Sequence, residues 1–527
     1  MKKYNYLAFI IALTGMLLTT SCGDDFLTAD SAKAIPSGAS VTDEIVRDNL
    51  TSAYHILLRD NYGSGYNSVL LLADLRSDDV YKGGESATNE LQLNDLNTFA
   101  LTPSTDLGGF WYMTYVGVAR STMAIANATV AVEGSNMDKV AEYKAEALFL
   151  RAYYYHQLWK NWGNIPYYSE PLQEPFLAPQ LTAGEVYAKI MEDIKAAEDL
   201  GKLQMKSSEI ARTNLAALYM LKARIVMYQK DAAMYDEVAK NMADIINSGE
   251  YDLLPVFDDL WLDANEFCIE SIFESNQLPQ GGDWSSYAGN PFGFGTVLPR
   301  YLAPEELKDP DGVFANGWGF EPVRAYLWES DFFEPGDSRK EGSINNWIGK
   351  PYNPRYQDTG YFLRKYAARI GYEKGDLNFC NNVRHFRYAE TLLNYAELVG
   401  VLGAKASGGV SAQTCLDLVR KRAFGRDASI PVNQVNIENE RHKEFIGEGL
   451  RYWDLIRWDK AATVLTDAVT TVVSPAGINS KSEEHGQTTW QWSRTWKSHN
   501  KYLPIPQTEI APTLGTAYPI KQNEGYN

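Results

Sequence analysis

Cysteine and histidine are scarce, at four and six among 527 residues. No two cysteines form a CxxC pair, which excludes a zinc ribbon and a thioredoxin-like redox motif. His55, His156, His385, His442, His485 and His499 show no metal-ligand spacing. There is no HExxH, no GxSxG elbow, no glycine-rich GK[ST] loop and no EF-hand spacing. No catalytic residue, metal or cofactor is therefore expected. Basic residues are also in deficit, 49 against 67 acidic ones, for a net charge of −18. Nucleic acid needs a basic footprint and is excluded as a general partner. Beyond the first residues no apolar run approaches the length of a membrane span.

What is present begins at the N-terminus. Lys2 and Lys3 precede an apolar run from Leu7 to Leu18, and then comes Leu18-Thr19-Thr20-Ser21-Cys22. The run is too short to span a bilayer comfortably, and its flanks match a secretory signal. Residues 1–21 read as a signal peptide, with Cys22 as the lipid-accepting residue of a bacterial lipoprotein. Residues 22–40 read as a small, polar tether. Three cysteines then remain, Cys268, Cys380 and Cys415. One disulfide among them is open from spacing alone, and at least one buried free thiol is expected.

Helical patterns dominate from about residue 41. Thr42 is placed to cap a helix carrying Ile45, Leu50, Tyr54 and Leu57. Over 138–162, Tyr143, Ala147, Leu150, Tyr154 and Leu158 share one face of a 3.6-residue period. Thr182-Ala183-Gly184-Glu185 is a capping box. Residues 213–230 and 232–247 form a helix pair with alternating small and large apolar residues, as in tetratricopeptide units. Between about 255 and 365 glycine, proline and aromatics crowd together, and loops that long are usually functional. Helices return at 386–402, 411–424 and 437–460. The two parts, 41–255 and 256–527, are expected to form one globular unit.

Four ordered motifs carry a family resemblance. They are Ala145–Tyr155 with Trp162-Gly163-Asn164-Ile165-Pro166; Arg387-Tyr388-Ala389-Glu390 with Asn394–Glu397; Glu440–Leu455; and Tyr502-Leu503-Pro504-Ile505-Pro506 with Glu509-Ile510. With Cys22-Gly23-Asp24-Asp25-Phe26-Leu27, the chain resembles the SusD/RagB family of Bacteroidetes outer-membrane lipoproteins. The resemblance implies a mainly α fold with tetratricopeptide-like hairpins and a long loop-rich ligand-binding region. It also implies a non-catalytic protein, lipid-anchored on the outer face of the outer membrane. Such a protein captures oligosaccharide or polysaccharide and delivers it to a SusC-type TonB-dependent porin. RagB-type relatives imply peptide capture on the same scaffold. Glu146, Arg151, Glu440, Arg441 and Glu448, charged residues among apolar helix positions, read as fold-specifying ion pairs.

Sugar rings have apolar faces that aromatic side chains can stack against, while nearby polar groups pair with hydroxyls. The candidates are therefore aromatics in loops, beside Asp, Asn or Arg. Asp78, Asp79 and Tyr81, in the stretch 74–84 that ends in Gly83-Gly84, are the first group. Trp284, Tyr287, Trp318, Trp328 and Trp347 are the second, and Arg355 is a polar contact. Trp490, Trp492 and Trp496 follow in strand-like order and suit either core or ligand. The aromatic-glycine loops favour glycan over peptide.

Overall fold

The computed structural model describes residues 40–58, 68–131, 134–277, 295–373, 378–474 and 489–526. It is mainly helical, with four small two-stranded antiparallel sheets among the described residues. The larger helices of the N-terminal part are α1 (Asp43–Tyr54), α2 (Gly108–Thr129), α3 (Met137–Trp162), α4 (Ala183–Leu200), α5 (Leu215–Gln229) and α6 (Tyr235–Ser248). Those of the C-terminal part are α7 (Tyr388–Gly400), α8 (Ala412–Phe424), α9 (Gln434–Phe445) and α10 (Arg451–Arg457). Consecutive helices pack on one another: α2 on α3, α3 on α4, α5 on α6 and α7 on α8, while α7 also leans on α6. One hydrophobic core runs from Leu50 to Ile520. No helix among the described residues is long and apolar enough to cross a membrane.

Local chemistry sets the helix ends. Thr42 accepts from the Ile45 amide at the start of α1. Thr182 and Glu185 exchange hydrogen bonds in a capping box at α4, satisfying two otherwise orphaned amides. Helix α3 starts on the Asn136 side chain and stops at Gly163, whose φ is +67°. A Cβ at Gly163 would lie 2.7 Å from the Tyr502 ring, so only glycine fits there. This contact joins two of the sequence motifs. Leu503 donates to the Asn161 carbonyl, and Trp162 Nε1 donates to the Pro504 carbonyl.

Two expectations are corrected, and the cysteine pairing that spacing left open is decided. The helix expected over 437–460 is two helices, α9 and α10, broken at Gly447 and Gly449, both with positive φ. The segment expected to be helical from 386 begins as the end of a strand, Val383–Arg387, which pairs with Ser271–Ser275 before α7 starts. Cys268 and Cys415 are free thiols, so no two of the three downstream cysteines pair with each other.

The charged motif residues all lie in buried ion pairs. Arg151 holds Asp193, Arg212 holds Glu146, and Arg441 holds Asp454. Glu440 bridges Arg339 and Arg420. Arg387 stands at the centre, donating to Glu270 at 2.9 Å, to Glu444 at 2.7 Å and to both oxygens of Glu448 at 2.7 Å. Burial alone would raise the Glu444 carboxyl, but Arg422, Arg387 and Arg339 together pull it down to about 2, from 4.5. A carboxylate lowered in the folded state stabilises above its unfolded pKa, and that stability is lost as pH falls through the folded value. The wild type is therefore expected to lose stability faster than Glu444→Gln between pH 4.5 and about 2. Thermal unfolding of both proteins across that window measures the difference, and parallel curves would refute it.

Candidate functional site

The stretch 74–84 follows a short apolar helix, Val69–Asp74, capped by Ser68. After a turn over residues 75–78 it runs from Asp79 to Gly84 against residues 319–324. Arg324 donates to the Asp79 carbonyl, Tyr81 to Pro322, Glu321 to Lys82, and Gly84 to Gly319, all between backbone atoms. A Cβ at Gly83 would sit 2.3 Å from the Gly319 carbonyl, so the two chains approach this closely only because Gly83 has no side chain. Tyr356 then donates to the Gly84 carbonyl and adds a third segment. Residues 74–84, 318–324 and 353–356, far apart in sequence, thus form one face.

The side chains on this face divide into inward and outward groups. Asp78 takes a bidentate pair from Arg451 at 2.8 and 3.0 Å and a hydrogen bond from the Tyr326 hydroxyl at 3.3 Å. Burial would raise its carboxyl, but Arg451, helped by His442 and Arg324, holds it well below the usual range. Asp79 Oδ1 lies 2.5 Å from His442 Nε2. The ligand-type atoms of Asp78, Asp79 and His442 lie within 4.8 Å of one another. Both Asp78 oxygens are engaged by Arg451 and Tyr326, and Asp79 Oδ1 by His442, which makes the cluster a latch, while Asp79 Oδ2 is buried without a partner. Both aspartates are buried and anchor the stretch to α9 and α10.

Tyr81 is half-buried and meets Trp492 edge-on, with ring centroids 5.2 Å apart. The Arg324 guanidinium lies 4.7 Å over Tyr81 and 5.3 Å over Trp492. Asp467 fixes that guanidinium with two 3.0 Å hydrogen bonds and also accepts from Trp492 Nε1 and Arg494. Tyr356 packs edge-on against Trp490 at 5.9 Å. Trp490 and Trp492 come from the strand Thr489–Arg494, paired with Asp467–Val473. Their alternation points both indoles inward, where they form a small core under Tyr81 and Tyr356.

Trp318 is half-buried, edge-on to Tyr301 at 5.1 Å. Beside it, the Arg355 side chain lies 3.4 Å from where a Gly319 Cβ would stand. Arg355 and Asn353 both donate to Glu305, the latter at 2.6 Å. Tyr81, Tyr356 and Trp318, each half-buried, with Arg324 and Arg355 held by carboxylates, give rigid apolar rings flanked by fixed hydrogen-bonding groups. That combination suits a neutral polyhydroxylated ligand.

The other expected residues lie apart. Trp328 is half-buried on the short helix Tyr326–Glu329, stacked on Tyr361 at 5.7 Å with the Lys340 ammonium 4.7 Å over its ring. Trp347 is 6% exposed, in a separate core cluster with Phe314, Tyr352 and Phe362. Its ring faces other side chains rather than solvent. Cys22, Trp284 and Tyr287 lie outside the described residues. Tyr356, Arg324 and Asp467 are not singled out for the face by the sequence. Trp490 and Trp492, left open there between core and ligand, belong to the core cluster under it. The Arg324–Asp467 pair, 143 residues apart, has no local signal.

Comparison with known proteins fits this architecture. A SusD family model matches residues 335–526, and a model described as starch-binding associating with outer membrane matches residues 25–227. The chain is 48% identical to surface glycan-binding protein A from Bacteroides fluxus, covering 92% of this chain and 100% of that one, with a TM-score of 0.83. The chain belongs to the SusD/RagB family. A second SusD-family relative is surface glycan-binding protein A from Bacteroides thetaiotaomicron in complex with laminarihexaose. It is 36% identical, covers 92% of this chain and 99% of that one, and has a TM-score of 0.80. SusD-like protein P38 from Formosa agariphila is 24% identical over 62% of this chain and 68% of its own length. SusD-family glycan-binding proteins are non-catalytic, and this chain is not an enzyme.

Proposed function

We propose that this SusD-family chain captures a laminarin-type oligosaccharide at the cell surface and hands it to a SusC-type TonB-dependent porin. The observation that carries the reading is its likeness, at 36% identity over 92% of the chain, to a protein solved with laminarihexaose. A further relative, described as a laminarin binding SusD-like protein, is 27% identical with a TM-score of 0.76. The face built by Tyr81, Trp318 and Tyr356 supports the same reading, because its rings offer flat apolar surface and its arginines are fixed in place. Tyr81, Trp318 and Arg355 are proposed as ligand contacts, and Trp284 and Tyr287 are retained as proposed contacts from the sequence. Asp78 and Asp79 hold the face in shape. Trp328 and Trp347 are proposed as its structural support.

In this reading Cys22 carries the lipid and residues 22–40 form the tether. Residues 41–255 supply the helical scaffold and residues 256–527 supply most of the ligand face. SusD-family glycan-binding proteins are non-catalytic, so ligand would leave as it arrived.

The test is calorimetric titration of soluble residues 23–527 with laminarihexaose, cellohexaose and a panel of short peptides. Saturable binding of laminarihexaose, and weaker or no binding of cellohexaose, is the expected result. Binding of peptides alone would replace this reading with RagB-like peptide capture. Absence of binding to every ligand would remove capture by the isolated chain.

A further inference from the structure

A cavity of about 60 Å3 lies between α3, α5, α7 and the α9–α10 break. Its lining shares no residue with the aromatic face and includes His156, Lys160, Arg224, His385, Asn394 and Trp453. A water needs roughly 15 Å3 by the same kind of measure, so the space admits more than one small guest.

Charge in its walls does not balance. Arg224 is held by Glu390, Arg384 by Glu274, Arg441 by Asp454 and Arg457 by Glu397. Lys160, 8% exposed, has no such partner among the described residues. Its ammonium sits 4.7 Å over the Trp453 ring. Among the described residues the carboxylate acting favourably on it is Glu390, which Arg224 already holds. Arg76, 2% exposed, lies 4.6 Å over the same indole. It donates to the Leu72 carbonyl and to Asn161 but has no carboxylate, and its Nη1 has no partner. Two buried cations therefore share one aromatic ring without a counterion.

The hydrogen-bonding groups are unbalanced in the same sense. Asn394 Nδ2 and Trp453 Nε1, both donors, are buried without acceptors. His156 Nδ1 and His385 Nε2 are also unpartnered. Tyr153 Oη lies 3.0 Å from His385 Nδ1, and with that hydroxyl donating, the ring proton falls on Nε2. Gln157 Oε1, an acceptor, and Tyr228 Oη, which can donate or accept, also lack partners in the lining. Buried polar atoms without partners are rare and signal a bound water or ion.

We propose that this cavity binds a small inorganic anion of the halide class, with Lys160 as its principal countercharge. A monatomic anion fits the volume and accepts from donors arranged in any direction. It also supplies the negative charge that Lys160 and Arg76 lack. With the cavity empty, burial and then Arg224 and Arg76 drive the Lys160 ammonium well below its ordinary pKa. A bound anion reverses that balance and keeps the lysine charged.

The test is thermal unfolding of soluble residues 23–527 against chloride, with gluconate holding ionic strength constant. A ligand that binds only the native state raises the midpoint by about 1 °C per tenfold in concentration once binding saturates, for a chain of this size. That rise is expected in the wild type and absent in Lys160→Met. Crystals soaked in bromide are expected to give an anomalous peak in the cavity, a readout independent of whether the variant folds. A chloride-independent midpoint together with no bromide in the cavity would overturn the proposal.

Discussion

Arg387→Met is expected to cost about 3–5 kcal/mol of folding stability, the range seen when one partner of a buried ion pair is removed. Arg387 is the cation shared by Glu270, Glu444 and Glu448, and all four residues are buried. Methionine matches much of its bulk, so a cavity is not the main effect. The carboxylates left behind are. Lys365 still holds Glu448, and Arg422 still holds Glu270 and Glu444, which keeps the loss from being larger. Arg387→Lys retains the charge but not the fork that reaches three carboxylates, so an intermediate loss is expected. Urea denaturation of soluble residues 23–527 measures both variants. A methionine variant as stable as the wild type would mean that the network is energetically neutral and specifies the fold without strengthening it.

The second large effect concerns ligand, and it rests on the glycan-capture reading. Trp318→Ala is expected to weaken laminarihexaose binding at least tenfold, about 1.4 kcal/mol or more. Tyr81→Ala is expected to weaken it less, because part of that ring is already committed to Trp492. Trp347→Ala is the contrast. Its indole is buried against Phe314, so truncation is expected to cost about 3–5 kcal/mol of stability with ligand affinity unchanged. Calorimetry and denaturation on the same three proteins separate the roles. Equal affinity in Trp318→Ala and wild type would move the ligand off this face.

Much of the scaffold was legible because helix signals are local. The Thr182 capping box, the Thr42 cap and the 3.6-residue stripe over 138–162 each depend on residues within a few positions of one another. The break between α9 and α10 was less legible. An apolar and charged pattern continues through Ile446–Leu450, and only the paired positive-φ glycines interrupt it. Nothing local shows that those glycines let the chain pass beside Leu70, 3.1 Å from where a Gly449 Cβ would stand.

The candidate face divides the same way. Residue types and glycine spacing identified the stretch 74–84 and the region from about 255 to 365 as unusual loops, and motif order supplied the family. Orientation was a different matter. Asp78 and Asp79 turn inward because Arg451 and His442, 373 and 363 residues away, come to meet them. Trp347 is a core residue because Phe314, Tyr352 and Phe362 surround it. Trp318 and Tyr81 share a face because Gly83 and Gly319 permit two backbones to touch. The sequence by itself determined the helical class and the family, since each is written in short spans or in the order of motifs. Only the tertiary structure decided which charged residues neutralise one another and which aromatic rings remain open to a ligand. Those outcomes depend on burial and on partners brought together across hundreds of residues, which no local pattern encodes.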